Sequence, residues 1–327
     1  MNFRKLIFAT LLFSAAVSCK DDDEGTVKPS LDGSLSIAGL QEYVIPGQTL
    51  QLTPKGATHP DGKDLTYYWK VSPTAPTACT TDVFNITFTD TLQTCTIYCS
   101  AIADGYSSLS ASSLVTVVKG GKDGSIKGIE FPAENFSTND ATYYYKQIGT
   151  QTWILNNVAE RSSGKAYHNS EAMSDVIGRF YSYSEAVAVC ESLSTSEMEW
   201  TLPTLEDWKT LESYIKGEIA ADPQKGKSTA AALMGDATFN DMTMWEYWPA
   251  VGDITNSSGF GAISAGYTNL ETNLFEGVYG YATFWTATAD EEDDLAYCAY
   301  IICNEPDLYI GRKDTKSFGA SVRCIRK

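Results

Sequence analysis

Glu199-Trp200-Thr201-Leu202-Pro203-Thr204-Leu205-Glu206-Asp207-Trp208 reads as a short strand running directly into a helix. Thr204 is placed to cap that helix, because a threonine hydroxyl can accept a bond from an orphan amide of the first turn. Asp207, three residues on, can reach back to close a capping box. Leu205, Trp208, Leu211 and Ile215 then recur at helical spacing, which marks one face for burial. The chain beyond about Lys127 is organised around this unit.

The opposite end of the chain speaks of export. Met1 to Ser18 has a basic start at Arg4 and Lys5, an apolar run from Leu6 to Phe13, and then small residues, the layout of a secretory signal too short to span a bilayer as a mature helix. Ala16-Val17-Ser18-Cys19 resembles a bacterial lipobox, which implies that Cys19 carries a lipid and becomes the first mature residue. Lys20-Asp21-Asp22-Asp23-Glu24 is a hydrated, self-repelling leash. It also resembles the signal that sends lipoproteins of Bacteroidetes-type bacteria to the outer face of the outer membrane. The expected arrangement is a signal over 1–18, a lipidated acidic linker over 19–31, and attachment to the membrane through the lipid alone.

Composition narrows the partners. The 327 residues suit two domains, and 24 Lys and Arg stand against 41 Asp and Glu, a formal net charge of −17. So acidic a chain excludes nucleic acid and anionic membrane surfaces as partners held by charge. Neutral glycans remain compatible. Eight cysteines and two histidines contain no C-x-x-C pair, so no zinc pattern emerges. With Cys19 lipidated, seven cysteines remain, and the odd number leaves at least one free thiol.

Residues 32–119 read as an all-β sandwich. Short segments rich in β-branched and aromatic residues run over 35–37, 49–52, 65–71, 84–88, 94–103 and 113–118, with turn signals at Pro46-Gly47, Asp61-Gly62 and Asp104-Gly105. Asp61-Gly62-Lys63-Asp64-Leu65-Thr66-Tyr67-Tyr68-Trp69 resembles the turn and central strand of PKD-like and immunoglobulin-like modules, which implies that Trp69 packs between two sheets. Cys79 could pair with Cys95 or with Cys99, whereas Cys95 and Cys99 share one face of a strand and are too far apart to bond. The domain is expected to act as a spacer. Lys119-Gly120-Gly121-Lys122-Asp123-Gly124 reads as a hinge.

Residues 126–327 carry a series of separated motifs. Ile148 to Asn157 contains Trp153 and Asn156-Asn157, and Gly178-Arg179-Phe180-Tyr181-Ser182-Tyr183 precedes a helix ending in Cys190. The Trp200–Trp208 unit follows, then Asn256 to Ala262, Ala265-Gly266-Tyr267, Phe284-Trp285-Thr286-Ala287-Thr288 and Ser321-Val322-Arg323-Cys324. In this order they resemble the Fibrobacter succinogenes major paralogous domain. That family is similar to the formylglycine-generating enzyme and to the C-type-lectin-like fold, which implies an α+β domain. The residues agree locally: Ser182 can cap a helix with Glu185 at its third position, and Ala186, Val189, Cys190 and Leu193 share a face. The resemblance further implies a staple between Cys190 and Cys324. Residues 296–302 and 308–310 read as a hairpin turning at 304–307. Cys298 and Cys303 are not placed to pair, and Cys298 is expected as a buried thiol.

Three chemistries are conceivable on these residues. Catalysis finds no reactive cysteine pair and no triad around His168, which reads as a surface histidine. For calcium, Glu305-Pro306-Asp307 resembles the tripeptide of calcium-dependent lectins, but the Trp-Asn-Asp motif that should follow is missing, and a plain turn is the simpler reading. Asp290 to Asp294 reads as a solvated loop. No cofactor is expected, and Ca²⁺ would enter only through Glu305 and Asp307. For sugars, Trp245, Glu246, Tyr247 and Trp248, with Asn256, Tyr279 and Tyr281, offer aromatic faces and hydroxyl-binding groups. Trp208, Phe284 and Trp285 read instead as core. The sequence therefore points to a glycan-binding lipoprotein on the cell exterior, accessory to polysaccharide capture and partnered by poly- or oligosaccharides and outer-membrane uptake proteins. Its rivals are a structural or adhesin-like protein that binds proteins, and an enzyme related to the formylglycine-generating group.

Overall fold

A computed structural model describes residues 28–73, 79–89, 94–121, 124–290 and 293–326. The signal segment, Cys19, the acidic leash, and Lys122 and Asp123 of the expected hinge lie outside the described residues. The chain is β-rich, with 41% strand against 16% helix. It divides into two compact units between Val117 and Val118.

In the first unit, alternation decides which side chains turn inward. Along Thr94–Ile102 the residues Cys95, Ile97, Cys99 and Ala101 are buried while those between them face outward. This strand lies in a five-stranded sheet with Tyr43–Val44, Leu109–Val117, Thr66–Ser72 and Cys79–Thr80. A second sheet joins Asp32–Ala38, Thr49–Thr58 and Phe84–Thr87. Both contribute to one core, and the Trp69 ring of the first sheet stacks on Phe84 of the second at 5.3 Å. Trp69 Nε1 is satisfied by the Thr81 carbonyl at 2.9 Å.

Cys95 and Cys99, the partners expected for Cys79, are both free thiols, and the Cys79 side chain lies outside the described residues. Cys79 and Cys99 flank Trp69 from opposite sides, so their strands are two spacings apart, about 9.5 Å. That is beyond the reach of a disulfide. Burial pushes both thiols up, Cys99 to about 12, so they are packing groups and poor nucleophiles.

The second unit is built on its last strand. Ile325–Arg326 is paired on one side by Gln151–Ile154 and on the other by Trp200–Thr201, in a sheet completed by Asn135–Ser137 and Thr142–Ile148. A three-stranded sheet joins Tyr281–Asp290, Leu295–Ile302 and Tyr309–Asp314, so the expected hairpin is present with a third strand ahead of it. Among the described residues four α-helices follow one another: α1 (Ser174–Ile177), α2 (Tyr183–Ser192), α3 (Leu205–Ala221) and α4 (Thr229–Leu233). Thr204 caps α3 by accepting from Asp207 N at 3.2 Å, and Asp207 Oδ2 accepts from Thr204 N at 2.8 Å. Leu211, Ile215 and Trp208 are buried along α3. Cys298 and Cys303 are buried free thiols.

Cys190 near the end of α2 is bonded to Cys324, with Cα atoms 5.7 Å apart and a sequence separation of 134. In the chain-entropy picture a loop of that length is worth about 5 kcal/mol against unfolding. Replacing both cysteines by alanine is expected to lower the unfolding free energy by about 3–5 kcal/mol in urea titrations. A loss below about 1 kcal/mol would show that the unfolded chain gains little freedom from the cut.

Ser182 and Glu185 form the capping box of α2, with Ser182 N and Oγ each donating to Glu185 Oε2 at 2.8 Å. Burial pushes the Glu185 carboxyl up, but bonds from Ser182 and Gly164 N and the charge of Arg179 outweigh it and hold it below its ordinary value. Folding therefore favours the ionised form. The contribution is complete above the ordinary value of 4.5 and is lost as pH falls through the lower folded value. Glu185→Gln keeps a capping amide and removes this titration. Its stability deficit relative to wild type should shrink between neutral pH and roughly pH 3.5 in paired urea titrations.

Candidate functional site

Aromatic packing around the Trp200–Trp208 unit creates a setting for one buried charge. Trp208 lies 4.9 Å from Trp153 and stacks on Phe284 at 5.4 Å, and Phe260 closes the group edge-on to Trp208 at 5.8 Å. The Arg323 guanidinium sits over Phe260 at 5.0 Å and near Phe284 at 5.6 Å. Its Nε donates to Asn157 Oδ1 at 2.8 Å, Nη1 to the Phe260 carbonyl at 3.0 Å and Nη2 to the Gly261 carbonyl at 3.3 Å. Arg323 is 1% exposed, and no carboxylate among the described residues pairs with it. Burial alone pushes it down to about 9, so it remains a cation at neutral pH.

The acceptors around Arg323 are themselves held in place. Asn157 donates through Nδ2 to the Ile177 carbonyl at 2.9 Å and to Ser321 Oγ at 3.3 Å. Gly178, at φ +82°, lets the end of α1 approach, since a Cβ there would lie 2.5 Å from Asn157 Cβ. Asn256 Oδ1 accepts from Gly261 N at 2.9 Å and fixes the turn that supplies the two carbonyls.

Arg323 and Asn157 border a cleft of about 510 Å³, within the usual range for small-ligand sites. One wall is apolar and aromatic: Phe131 and Tyr144 stack at 4.5 Å, with Ile129, Leu155 and Ile263 alongside. The other is polar, with Asn139, Asp140 and Asp175. Arg161 ties the two carboxylates together, its Nη2 on Asp175 at 2.7 Å and its backbone N on Asp140 at 2.8 Å. Burial pushes Arg161 down, but Asp175, Asp140 and Glu171 outweigh it and hold its pKa above the ordinary value. Asn139 is exposed, and its side chain makes no bond among the described residues. Gly120 and Gly121, expected as hinge, line this cleft, and a Cβ on Gly120 would lie 2.4 Å from Asp175 Cβ.

The residues picked from the sequence as a sugar platform lie elsewhere. Trp245 corrects the expectation outright: it is 3% exposed and its Nε1 donates to the Ala262 carbonyl at 3.0 Å, so its faces are spent on the core. Tyr247 and Trp248 do stand at the surface, 66% and 41% exposed, and Glu246 is exposed beside them. Glu246 N donates to the Tyr279 carbonyl at 3.0 Å, which brings those two loops together. Tyr279 and Tyr281 are half-buried, and Tyr281 meets Tyr267 edge-on at 5.9 Å. Asn256 works in the turn beneath Arg323. None of these side chains lines the cleft.

The other candidates are equally local. Glu305 is exposed, and Asp307 receives Lys216 at 3.0 Å while the Pro306 carbonyl accepts from Ala230 N. That describes a turn tethered to α3 and α4. Among the described residues no group of three or more His, Cys, Asp or Glu is placed to hold a metal. His168 is exposed, and its ring stacks on Tyr167 at 4.2 Å. The cleft itself escaped the sequence reading. Its signal was an arginine between apolar neighbours, Val322 and Cys324, in a stretch whose pattern demands burial.

Residues 146–326 match the family model of the Fibrobacter succinogenes major domain. No curated protein matches the chain.

Asn157→Ala would leave the buried Arg323 without its Nε acceptor and the Ile177 carbonyl without its donor. A loss of about 2–4 kcal/mol is expected in chemical denaturation. Asn139→Ala on the cleft rim should stay within about 0.5 kcal/mol of wild type. Equal stability of the two variants would contradict the bracing role of Asn157.

Proposed function

From the premise that this chain belongs to the Fibrobacter succinogenes major domain family, we propose that it is a surface protein that binds glycans, and that the 510 Å³ cleft is where it does so. The observation that carries this reading is the make-up of the cleft. A stacked aromatic pair, Phe131 and Tyr144, offers an apolar face to the C–H side of a sugar ring. The same cleft is lined by an unbonded amide, Asn139, and by carboxylates, Asp140 and Asp175, suited to hydroxyls. A small ligand set between an apolar wall and a few fixed polar groups is how such sites achieve orientation and specificity.

In this reading Cys19 carries a lipid, the acidic leash leads the chain to the exterior of the outer membrane, and the first unit is an immunoglobulin- or PKD-like spacer. The second unit is a lectin-like head. The lipid would supply the attachment. No helix among the described residues is long and apolar enough to cross a membrane. Capture of polysaccharide for uptake proteins is the role that fits these parts.

A protein-binding role is the second reading, and one observation favours it. Tyr68, Tyr98, Ile102 and Leu114 are all exposed, and strand register puts them on the outer face of one sheet of the first unit. Apolar groups gathered on one face suit a partner surface.

Affinity electrophoresis and calorimetry of the full chain against a panel of polysaccharides test the glycan reading. Binding to at least one glycan is expected, weakened about tenfold by Tyr144→Ala through loss of the stacking face. A folded protein that binds no glycan would overturn it. Binding that survives Tyr144→Ala but falls with Trp248→Ala would move the site to the surface loop at 245–248.

A further inference from the structure

The chemistry at the inner end of the cleft selects among glycans. A guanidinium offers five N–H donors in a fixed fork. Arg323 spends three on Asn157, Phe260 and Gly261, all uncharged acceptors, which leaves two N–H groups uncommitted. Its rings and carbonyls solvate the cation but bring no negative charge. Taking an unpaired charge out of water is costly, and neutral acceptors recover only part of that cost. Bracing the 157 segment against the 260–261 turn asks for hydrogen bonds and not for a charge. A lone cation at a cavity wall is instead what a site for an anionic group contains.

Position sharpens the assignment. Arg323 borders the cleft and is nine-tenths and more buried, so whatever reaches it must shed its water there. A free hydrated anion gains little from such a place. An anionic group carried on an organic body that the cleft walls cover can be delivered dry. The two other ionised groups lining the cleft, Asp140 and Asp175, are engaged by Arg161 and belong to the polar wall. They repel an anion near themselves and accept bonds from hydroxyls, so they orient a ligand with its charged end toward Arg323 and its hydroxyl-bearing side toward them.

We propose that the cleft takes an acidic sugar, a uronic acid residue of a polysaccharide, with its carboxylate turned to Arg323 and its ring against Phe131 and Tyr144. This rests on the glycan reading of the same cleft and names its substrate class. Carboxylate oxygens match the planar spacing of guanidinium donors, which a point charge does not. The overall charge of −17 makes long-range attraction of an acidic polymer unfavourable. Affinity must then come from the buried contact and not from steering.

Calorimetry of the full chain with a methyl uronoside, its methyl ester and the corresponding neutral hexoside distinguishes the outcomes, with NMR of the Arg323 Nε–H as a second readout. The free acid is expected to bind at least tenfold tighter than its ester or the neutral sugar, and to shift the Arg323 Nε–H resonance on titration. Arg323→Lys keeps the charge and loses the fork, and should reduce that preference severalfold. Should this variant fail to fold, the wild-type Nε–H shift decides alone. Equal binding of acid, ester and neutral sugar, or an unmoved Nε–H signal at saturation, would overturn the carboxylate assignment while leaving a glycan site. Binding of none of them, nor of any polysaccharide, would overturn both.

Discussion

A buried cation without a carboxylate partner, Arg323, sets the terms for the second unit. Arg323 has no carboxylate beside it, so the surroundings must supply every acceptor, and they come from distant parts of the chain. Asn157 arrives from the segment after Gln151–Ile154, and the Phe260 and Gly261 carbonyls from a turn fixed by Asn256. Phe260 and Phe284 present their faces to the cation and rest on Trp208. Loss of any one support leaves a charge in low dielectric, so the aromatic core, the turn and the last strand are bound to one another's geometry.

The same strand ties the two ends of the unit. Ile325–Arg326 lies between Gln151–Ile154 and Trp200–Thr201, so the sheet cannot be completed until the final residues have arrived. Pairings across so long a stretch of chain carry a loop-closure cost before they are rewarded. Arg323 is on the segment leading into that strand, so the cleft shares the same long-range closure. Much of its remaining lining comes from residues 129–144, all ahead of the family match that begins at residue 146. The cradle of Arg323 therefore lies in the family's common portion, while Phe131, Asn139 and Asp140 lie outside it.

Legibility followed the range of each interaction. Thr204 with Asp207 and Ser182 with Glu185 are three residues apart, and sequence spacing is enough to see them. Alternation in Thr94–Ile102 and the periodic face of α3 are likewise local. Cys190 with Cys324 is not local, and it emerged only through the family resemblance. The cleft joins residues from 120 to 323, and its one local trace is an arginine set between the apolar Val322 and Cys324. Trp245 misled because aromatic residues crowd both platforms and cores, and only the Ala262 carbonyl waiting for its indole N–H decides between them. Gly120 looked like hinge for a similar reason: the same lack of a side chain serves flexibility and close packing, and here it admits Asp175.

The bond between Cys190 and Cys324 has a topological side as well as an energetic one. It closes residues 190–324 into a covalent ring that contains α3, α4 and the whole three-stranded sheet. A peptidase that cuts once in any exposed loop of that ring, such as the one holding Tyr247 and Trp248, opens the ring without releasing a fragment. The nicked chain stays in one piece, with Arg323 next to the bonded cysteine. The bond thus turns a severed loop into a tolerable injury.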